Sequence, residues 1–372
     1  MTQKWKMSSD IRFMEIALSI ARRGHGNVWP NPSVGCIIVK DDVIIGRGWT
    51  QPGGRPHAEV EALRQAGKLA RKATAYITLE PCAHEGETAS CAKALINAGI
   101  ERVVSAKRDP DPRVNGRGIE LLRMAGLEVI EGIREEEATE VAEGFFSRIL
   151  KGRPLVTIKV ATSLDGKIAT PTGESRWITG ELARAYSHAL RARYDAILIG
   201  GRTAVIDDPM LTCRLPGLEK RSPVRVILDG KLELPETNQL LVTASQIPTW
   251  IMVPSNVDSL RSKKYTKLGA KVITVADSTI NNRDLSKMLV TLGGLGITRL
   301  MVEGGGRIIA NFFKCGLVDK IVWFRASKVI GNDGVPVCGP LGMDCLGQAP
   351  EFTKVSSKNL GKDSVETYVR IE

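Results

Sequence analysis

The chain has 372 residues, of which 43% are hydrophobic and 25% charged. Because single hydrophobic cores rarely extend beyond about 250–300 residues, this length favours two domains, and the lack of any run of about 18 apolar residues excludes a membrane-spanning helix. The net charge of +11 would suit nucleic acid, but aromatic residues make up only 5% and Lys and Arg are scattered, so we expect phosphorylated small molecules as ligands rather than nucleic acid or a membrane.

The N-terminal part of the chain predicts an α/β domain. A helix is expected from the N-cap Ser9 to Gly24, followed by a hairpin of two β-rich runs at 34–39 and 43–48. Helices and strands then alternate. The predicted helices cover 58–70, 91–98, 118–125 and 135–149, and the predicted strands cover 75–79, 102–106 and 127–130. This alternation predicts a largely parallel sheet covered by helices.

A break in the pattern at 151–154, which contains a Gly and a Pro, indicates the domain boundary. We therefore predict domains at 1–152 and 153–372. The second domain is also α/β, because strand-like runs alternate again with helical ones. Its predicted strands cover 155–161, 196–200, 224–228, 249–253, 271–275 and 299–303.

Cysteine usage and the N-terminus both indicate the compartment. The seven cysteines are irregularly spaced, which argues against a disulfide framework and favours reduced thiols. Five of them are predicted to be small core residues: Cys36, Cys213, Cys315, Cys338 and Cys345. The first ten residues lack the apolar stretch of a secretory signal, so we expect a cytoplasmic protein.

One constellation in the first domain carries zinc chemistry. His57 opens a predicted helix, Cys82 follows Pro81 just after a strand, and Cys91 opens another helix. Three such ligands leave the fourth tetrahedral position of zinc to a water whose pKa falls to near 7. Glu59 is the candidate acid/base that carries the proton to the ring nitrogen and the leaving amine, in the H-x-E and P-C-x-x-C arrangement of nucleobase deaminases. Here eight residues separate the cysteines instead of two, but the set still predicts a zinc-dependent deaminase.

Further short motifs occur along both domains. In the first they are Pro30-Asn31-Pro32 with Val34-Gly35, His57-Ala58-Glu59, Leu79-Glu80-Pro81-Cys82-Ala83-His84 and Asp109-Pro110-Asp111-Pro112. In the second they are Ser163-Leu164-Asp165-Gly166, Ser175 with Trp177-Ile178-Thr179-Gly180, Asp207-Asp208-Pro209 with Leu211-Thr212, and Val302-Glu303-Gly304-Gly305. With these motifs, nearly the full chain resembles the bifunctional deaminase/reductase family of riboflavin biosynthesis.

The resemblance implies a cytidine-deaminase-like zinc domain followed by a dihydrofolate-reductase-like α/β domain. The implied reactions are deamination of 2,5-diamino-6-ribosylamino-4-pyrimidinone 5′-phosphate and then NADPH reduction of the ribosylamino product to its ribityl form. One Zn²⁺ in the first domain and NADPH in the second are the implied cofactors. A homo-oligomer, dimer or tetramer, is also expected from the resemblance.

The resemblance also implies site residues by position. The residues implied to contact NADPH are Ala161, Trp177, Thr203, Asp207, Gly305, Gly306 and Arg307. The residues implied to contact substrate are Ser175, Arg191, Leu211, Arg214 and Glu303 in the reductase domain, and Asn31 and His84 in the deaminase domain. Arg202 and Arg307 are candidates for recognising the 2′-phosphate of NADPH. No G-x-G-x-x-G motif occurs, which argues against an ordinary Rossmann domain.

Three deaminase positions depart from the family pattern where the ribose phosphate should bind. Thr50, Pro52 and Glu87 stand in place of a histidine, a lysine and a basic residue. Either other residues such as Arg55 or Arg113 hold the phosphate, or the deaminase prefers an altered substrate. A reductase with an inactive deaminase domain, an RNA-editing zinc deaminase and a non-catalytic zinc-stabilised binding protein are the alternative functions.

Overall fold

The computed structural model describes residues 3–83, 90–275 and 285–371. The chain divides into two compact units, Met1–Gly152 and Arg153–Glu372. Among the described residues, no helix combines the length and the apolar character needed to cross a membrane.

The first unit is a mixed α/β structure. Its strands are β1 (Gly35–Lys40), β2 (Val43–Trp49), β3 (Thr74–Ile77), β4 (Arg102–Ser105) and β5 (Glu128–Glu131). Its helices are α1 (Gln3–Ala21), α2 (Ala58–Ala66), α3 (Cys91–Asn97), α4 (Arg117–Met124) and α5 (Glu135–Lys151). The predicted hairpin and the predicted alternation are confirmed, whereas α1 begins earlier than the predicted N-cap Ser9.

The sheet of this unit has the order β2-β1-β3-β4-β5. Strands β3, β4 and β5 are parallel, but β1 is antiparallel to both of its neighbours. The parallel arrangement predicted from the alternation is therefore confirmed for β3, β4 and β5, but it does not extend to β1, which lies inside the sheet and runs antiparallel to β3 as well as to its hairpin partner β2. The reason is that α2 carries the chain across β1, so that β2 and β3 run in the same direction on either side of it.

Helices cover both faces of this sheet. Along β1, Cys36 and Ile38 pack with the α2 side of the core, while Ile37 and Val39 pack with α1, as expected from the alternation of side chains along a strand. A Cβ placed on Gly48 of β2 would lie 2.1 Å from the carbonyl oxygen of Ala58. The start of α2 therefore rests directly on the strand, which fixes the position of the residues around it.

The second unit is built on a larger sheet. Its strands are β6 (Leu155–Thr162), β7 (Lys167–Ala169), β8 (Ala196–Gly200), β9 (Val224–Leu228), β10 (Thr249–Pro254), β11 (Lys271–Val275), β12 (Arg299–Val302), β13 (Lys320–Arg325), β14 (Val335–Pro336), β15 (Phe352–Leu360) and β16 (Asp363–Arg370). Its helices are α6 (Glu181–Arg191), α7 (Gly201–Asp207), α8 (Gln239–Val242), α9 (Ser259–Lys267), α10 (Leu285–Gly294) and α11 (Gly306–Lys314).

The main sheet has the order β11-β10-β9-β8-β12-β6-β13-β16-β15, and β7 pairs with β14 in a separate ribbon. In the order of the sheet, the seven strands from β11 through β10, β9, β8, β12 and β6 to β13 are parallel. The C-terminal hairpin β15–β16 adds two antiparallel strands next to β13. All six predicted strands of this domain are confirmed. The prediction missed the five others, β7, β13, β14, β15 and β16.

Arg225 of β9 is a fully buried arginine in this unit. Its guanidinium donates hydrogen bonds to the hydroxyls of Thr243 and Thr249 and to the carbonyl oxygens of Leu240 and Ile247. Burial lowers the pKa of this side chain to about 10. It therefore ties the region around α8 to the central sheet.

The cysteines are less uniformly buried than predicted. Cys36 and Cys213 are buried, and Cys315 and Cys338 are half-buried. Cys345 is exposed, so the prediction of a core position is wrong there, because this residue lies in the irregular segment between β14 and β15.

Candidate functional site

The predicted zinc ligands converge in the first unit. The ligand atoms of His57, Cys82 and Cys91 all lie within 4.8 Å of one another. His57 Nδ1 is 3.2 Å from Cys91 Sγ and 3.8 Å from Cys82 Sγ. Bonds to zinc of 2.0–2.3 Å at tetrahedral angles place two ligand atoms about 3.5 Å apart. The three residues therefore fit one zinc ion and leave one coordination position for a water or a substrate atom.

Two of the three ligands sit at the start of a helix, and Cys82 lies in the loop that follows β3. His57 is the N-cap of α2, and Cys91 is the first residue of α3. Ser90 caps α3 by accepting a hydrogen bond from the Lys93 N–H at 3.3 Å. The Cys91 N–H points at Cys82 Sγ, 3.3 Å away, and so holds the two cysteine segments together.

The two thiols have opposite tendencies to ionise. A hydrogen bond from the Cys91 side chain, helped by His57 and the Cys91 N–H, lowers the pKa of Cys82 to about 4. The same hydrogen bond and burial raise the pKa of Cys91. The pair thus shares one proton, and a divalent cation would replace it because zinc binds the thiolate form.

Glu59 lies in the same pocket as His57 and Cys82, in the first turn of α2. Its side chain is only 3% exposed. Burial raises the pKa of Glu59, although the nearby His57 opposes this shift. A carboxyl group with a raised pKa beside the metal ligands is suited to taking up and releasing a proton.

The structure describes some, but not all, of the other residues considered for substrate binding in this domain. Asn31 lines the pocket and donates a hydrogen bond to the Gly54 carbonyl at 3.0 Å. The loop positions His84 and Glu87 lie outside the described residues. Arg55 and Arg113, the alternative phosphate ligands, both line the pocket and are exposed.

The structure describes Thr50 and Pro52, two of the three positions that depart from the family pattern. Thr50 lines the pocket, but its hydroxyl donates to the Pro32 carbonyl at 2.9 Å and accepts from the Val34 N–H at 3.0 Å. Pro52 is exposed in a short turn after β2. Thr50 thus closes the pocket wall with both hydrogen-bonding functions of its hydroxyl engaged.

The Asp109–Asp111 motif contributes a wall of the pocket, for which no role was predicted. Burial, opposed by a hydrogen bond from the Asp111 N–H, raises the pKa of Asp109 to about 7. Asp111 is buried and forms an ion pair of 2.5 Å with Arg113. The spacing of the motif was visible in the sequence, but its distance from the zinc ligands was not.

A second pocket lies in the second unit. Five of the predicted residues line it: Ala161, Ser175, Trp177, Arg191 and Arg214. The Trp177 ring is 62% exposed and stacks on the Arg184 guanidinium at 4.5 Å. The structure therefore brings predicted cofactor and substrate residues to one surface.

Glu303 forms the charged centre beside this pocket. Arg191 binds both of its carboxylate oxygens at 2.9 and 2.8 Å, and Lys159 Nζ lies 3.5 Å from one of them. Burial alone would raise the pKa of Glu303, but Arg191 and Lys159 overcome it and lower the pKa to about 2. Lys159 also lines the pocket, yet the sequence analysis missed it because a single lysine in a strand carries no motif.

The remaining predicted residues of this unit lie around α7 and α11. A Cβ placed on Gly305, whose φ is +45°, would lie 2.9 Å from the Thr203 hydroxyl, so these two residues are neighbours. Gly306 begins α11. In these two helices, Arg202, Asp207 and Arg307 are exposed.

Leu211 has a different environment from the other predicted substrate residues. Its side chain is buried in the hydrophobic core with Tyr194 and Ile197. Any contact with substrate at this position would therefore use its backbone atoms.

Comparison with known proteins gives the same two-part organisation. Residues 154–365 match the RibD C-terminal domain, and residues 7–107 match the cytidine and deoxycytidylate deaminase zinc-binding region. The riboflavin biosynthesis protein RibD of Aquifex aeolicus is 43% identical over 361 residues, covering 97% of this chain and 98% of that protein.

The chain belongs to the RibD family.

Solved RibD structures agree over almost the whole length. A form of Acinetobacter baumannii RibD has a TM-score of 0.88 at 36% identity, covering 98% of this chain and 100% of that chain. A Thermotoga maritima protein described as a diaminohydroxyphosphoribosylaminopyrimidine deaminase/5-amino-6-(5-phosphoribosylamino)uracil reductase has a TM-score of 0.86 at 34% identity with the same coverage. The predicted α/β class, a deaminase-like domain followed by a RibD reductase domain, is confirmed.

As a RibD protein, the chain is a bifunctional deaminase and reductase of riboflavin biosynthesis that acts on small molecules. Its cofactors are zinc, for which the His57, Cys82 and Cys91 cluster is the matching group, and NADPH.

Proposed function

We propose that residues 1–152 deaminate 2,5-diamino-6-ribosylamino-4-pyrimidinone 5′-phosphate and that residues 153–372 reduce the ribosylamino product with NADPH. The observation that carries the proposal is the convergence of His57, Cys82 and Cys91 in one pocket with the buried Glu59. The ion-paired Glu303 pocket in the second unit supports the reduction step.

In the deamination, zinc supplies a water of lowered pKa when it is bound by His57, Cys82 and Cys91. Glu59 would take one proton from that water and pass it to the ring nitrogen, and would then carry a second proton from the newly added hydroxyl group to the amine, which leaves as ammonia. Burial raises the pKa of Glu59, so the carboxyl group is suited to hold each proton between its donor and its acceptor. Asn31 contacts the substrate in this pocket.

The substrate phosphate needs positive charge at the pocket, and we assign this role to Arg55 and Arg113. Both line the pocket, whereas the hydroxyl of Thr50 is engaged by backbone groups. Arg113 already pairs with Asp111, so its charge is partly neutralised. Replacing Arg55 by Met is expected to raise KM for the phosphorylated substrate more than for its dephosphorylated form, whereas Arg64→Met on the surface of α2 is the matched control.

In the reduction, NADPH supplies the hydride, and the chain orients it and the sugar. We assign the cofactor contacts to Ala161, Trp177, Thr203, Asp207 and the Gly305–Arg307 segment. Arg191 and Lys159 keep Glu303 ionised, so that it accepts hydrogen bonds from substrate hydroxyls.

The phosphate of the reductase substrate is best placed against Arg214. Burial and the positive charge of Arg191 lower the pKa of Arg214, and an anion would relieve that repulsion. Ser175 lines the same pocket and contacts the substrate there. We also propose, on family resemblance, that the chain works in the cytoplasm as a homodimer or homotetramer, which light scattering of the purified protein would measure.

The test follows ammonia release and NADPH oxidation by the zinc-loaded chain supplied with the diaminopyrimidine ribosyl phosphate. Ammonia release that Glu59→Gln abolishes, followed by NADPH oxidation, supports both activities. NADPH oxidation that occurs only when the deaminated pyrimidine is supplied would contradict the deaminase assignment, and would direct attention to Thr50, Pro52 and Glu87.

A further inference from the structure

Glu80 is a buried carboxylate two residues before the zinc ligand Cys82, and none of the roles above requires it. Its side chain is 3% exposed. One oxygen accepts hydrogen bonds from the backbone N–H groups of Asp109 and Gly116 at 3.2 and 2.9 Å. The other accepts from the N–H groups of Gly118 and Ile119 at 2.9 and 3.3 Å. All four donors belong to one stretch of chain, 109–119.

These hydrogen bonds join the two halves of the deaminase pocket. On one side Glu80 is continuous with Cys82, which helps to hold the metal. On the other side, the 109–119 stretch supplies Asp109, Asp111 and Arg113 to the pocket wall. A displacement of one segment against the other would change the distance between the metal ligands and the groups that line the substrate space.

Two backbone contacts show how closely these segments approach. The Glu80 N–H donates to the Lys107 carbonyl at 2.8 Å. A Cβ placed on Gly118 would lie 1.9 Å from the Pro81 carbonyl oxygen, so no side chain fits there. The Glu80 carboxylate adds four side-chain hydrogen bonds to these main-chain contacts, and it thereby helps to fix the register of 109–119 against the Cys82 segment.

We propose that Glu80 is a positioning residue for the deamination, which clamps the substrate wall 109–119 at a fixed distance from the metal ligands. This proposal rests on the proposed deaminase function. Glu80 acts through four peptide N–H groups and does not touch the reacting atoms. Hydrogen bonds to a charged acceptor are stronger than those to a neutral one, so replacing this carboxylate by an amide should weaken the clamp.

The test compares Glu80→Gln and Glu80→Asp with the unaltered full-length chain. In Glu80→Gln the amide nitrogen would face two N–H donors, so we expect kcat/KM for ammonia release to fall at least tenfold, with zinc content still one per chain. Glu80→Asp keeps the charge and should be less impaired. NADPH oxidation with the deaminated substrate should be unchanged in both, which shows that the second unit is folded, while the zinc content reports on the first unit. Glu128→Gln, which alters an exposed ion pair with Arg102, is the matched control.

Amide hydrogen exchange gives a readout that is independent of turnover. Exchange at Gly116, Gly118 and Ile119 should be faster in Glu80→Gln than in the unaltered chain and in Glu128→Gln. Unchanged exchange, or a loss of ammonia release that added zinc fully restores, would overturn the clamp. If the unaltered chain released no ammonia, the proposed function would fail instead, and the exchange experiment would still measure the clamp itself.

Discussion

The two pockets neutralise their buried carboxylates in different ways. In the second unit, Glu303 lies against Arg191 and Lys159, so its charge is balanced by side chains of the same pocket. In the first unit, Glu59 and Asp109 are buried, and the pKa of each is raised. The positive charge of that pocket is completed by the zinc ion that His57, Cys82 and Cys91 are placed to bind.

This difference indicates how each half depends on its cofactor. The reductase pocket has its charged framework in place before NADPH binds, because the ion pairs lie within the protein. The deaminase pocket joins two thiols, a histidine and raised-pKa carboxyls, a set that favours a bound cation. Experiments that remove the metal or break an ion pair should therefore affect the two activities separately.

Removal of zinc should have the largest effect. We expect a chelator to abolish ammonia release by the full-length chain and to leave NADPH oxidation with the deaminated substrate unchanged, because the charges at Glu303 come from Arg191 and Lys159. Metal analysis and both assays would be run on one sample. Full ammonia release by a zinc-free chain would contradict the metal assignment.

Substitution of the proposed proton carrier should come next. Glu59→Gln keeps the size of the side chain but cannot exchange a proton, so ammonia release should fall by about 10²–10⁴-fold. Steady-state kinetics at saturating substrate would measure it. Glu61→Gln, on the same turn of α2 but ion-paired with Arg64, is the control and should stay close to the unaltered rate. Equal losses in the two variants would mean that α2 itself had been disturbed.

Breaking the ion pair between Arg191 and Glu303 should lower the free energy of unfolding more than breaking a surface ion pair does. Arg191→Met leaves Glu303 buried with only Lys159 beside it, and removal of one partner of a buried pair costs about 3–5 kcal/mol. Denaturant unfolding followed by circular dichroism would measure the loss. Glu236→Gln removes a surface ion pair with Lys264, and should cost less than about 1 kcal/mol.

The pH dependence of stability should have opposite signs in the two units. The pKa of Glu303, about 2 when folded, lies below the unfolded value near 4.3, so its contribution is present above about pH 4 and is lost as pH falls towards 2. The pKa of Asp109, about 7 when folded, lies above the unfolded value near 3.9, so its contribution is present at low pH and is lost as pH rises from about 4 to 7.

Given 1.36 kcal/mol per unit of pKa, the pH effect is on the order of 3 kcal/mol for Glu303 and on the order of 4 kcal/mol for Asp109. Unfolding measured between pH 2 and 8 should show the acid-side loss diminished in Glu303→Gln and the neutral-side loss diminished in Asp109→Asn. Two variants with the same pH profile as the unaltered chain would rule out these assignments.

The sequence predicted the elements whose residues repeat a clear pattern. Strand β8 is a short buried apolar run and β9 is one interrupted only by Arg225, and both were predicted. The missed strand β15 is exposed along nearly all of its length, so it shows no alternation of apolar and polar residues. Pairing with β16 produces this strand, and such tertiary pairing leaves little trace in a local pattern.

The residues of the candidate site could likewise be predicted only where they form a local sequence pattern. His57, Cys82 and Cys91 could be predicted because metal ligands must be particular residue types near fixed element ends. The contact of Lys159 with Glu303 joins residues far apart in the chain. Glu80 binds peptide N–H groups, which every residue except proline offers, so no sequence signature marks its partners.

The buried Arg225 has a consequence for how this protein can change during evolution. At Leu240 and Ile247 it binds main-chain oxygens, so the side chains there can vary without loss of those hydrogen bonds. At Thr243 and Thr249 it binds hydroxyls, which only serine or threonine would reproduce in the same place. Neutral drift around α8 should therefore leave Thr243 and Thr249 unchanged or replaced by serine, while one apolar residue replaces another at Leu240 and Ile247.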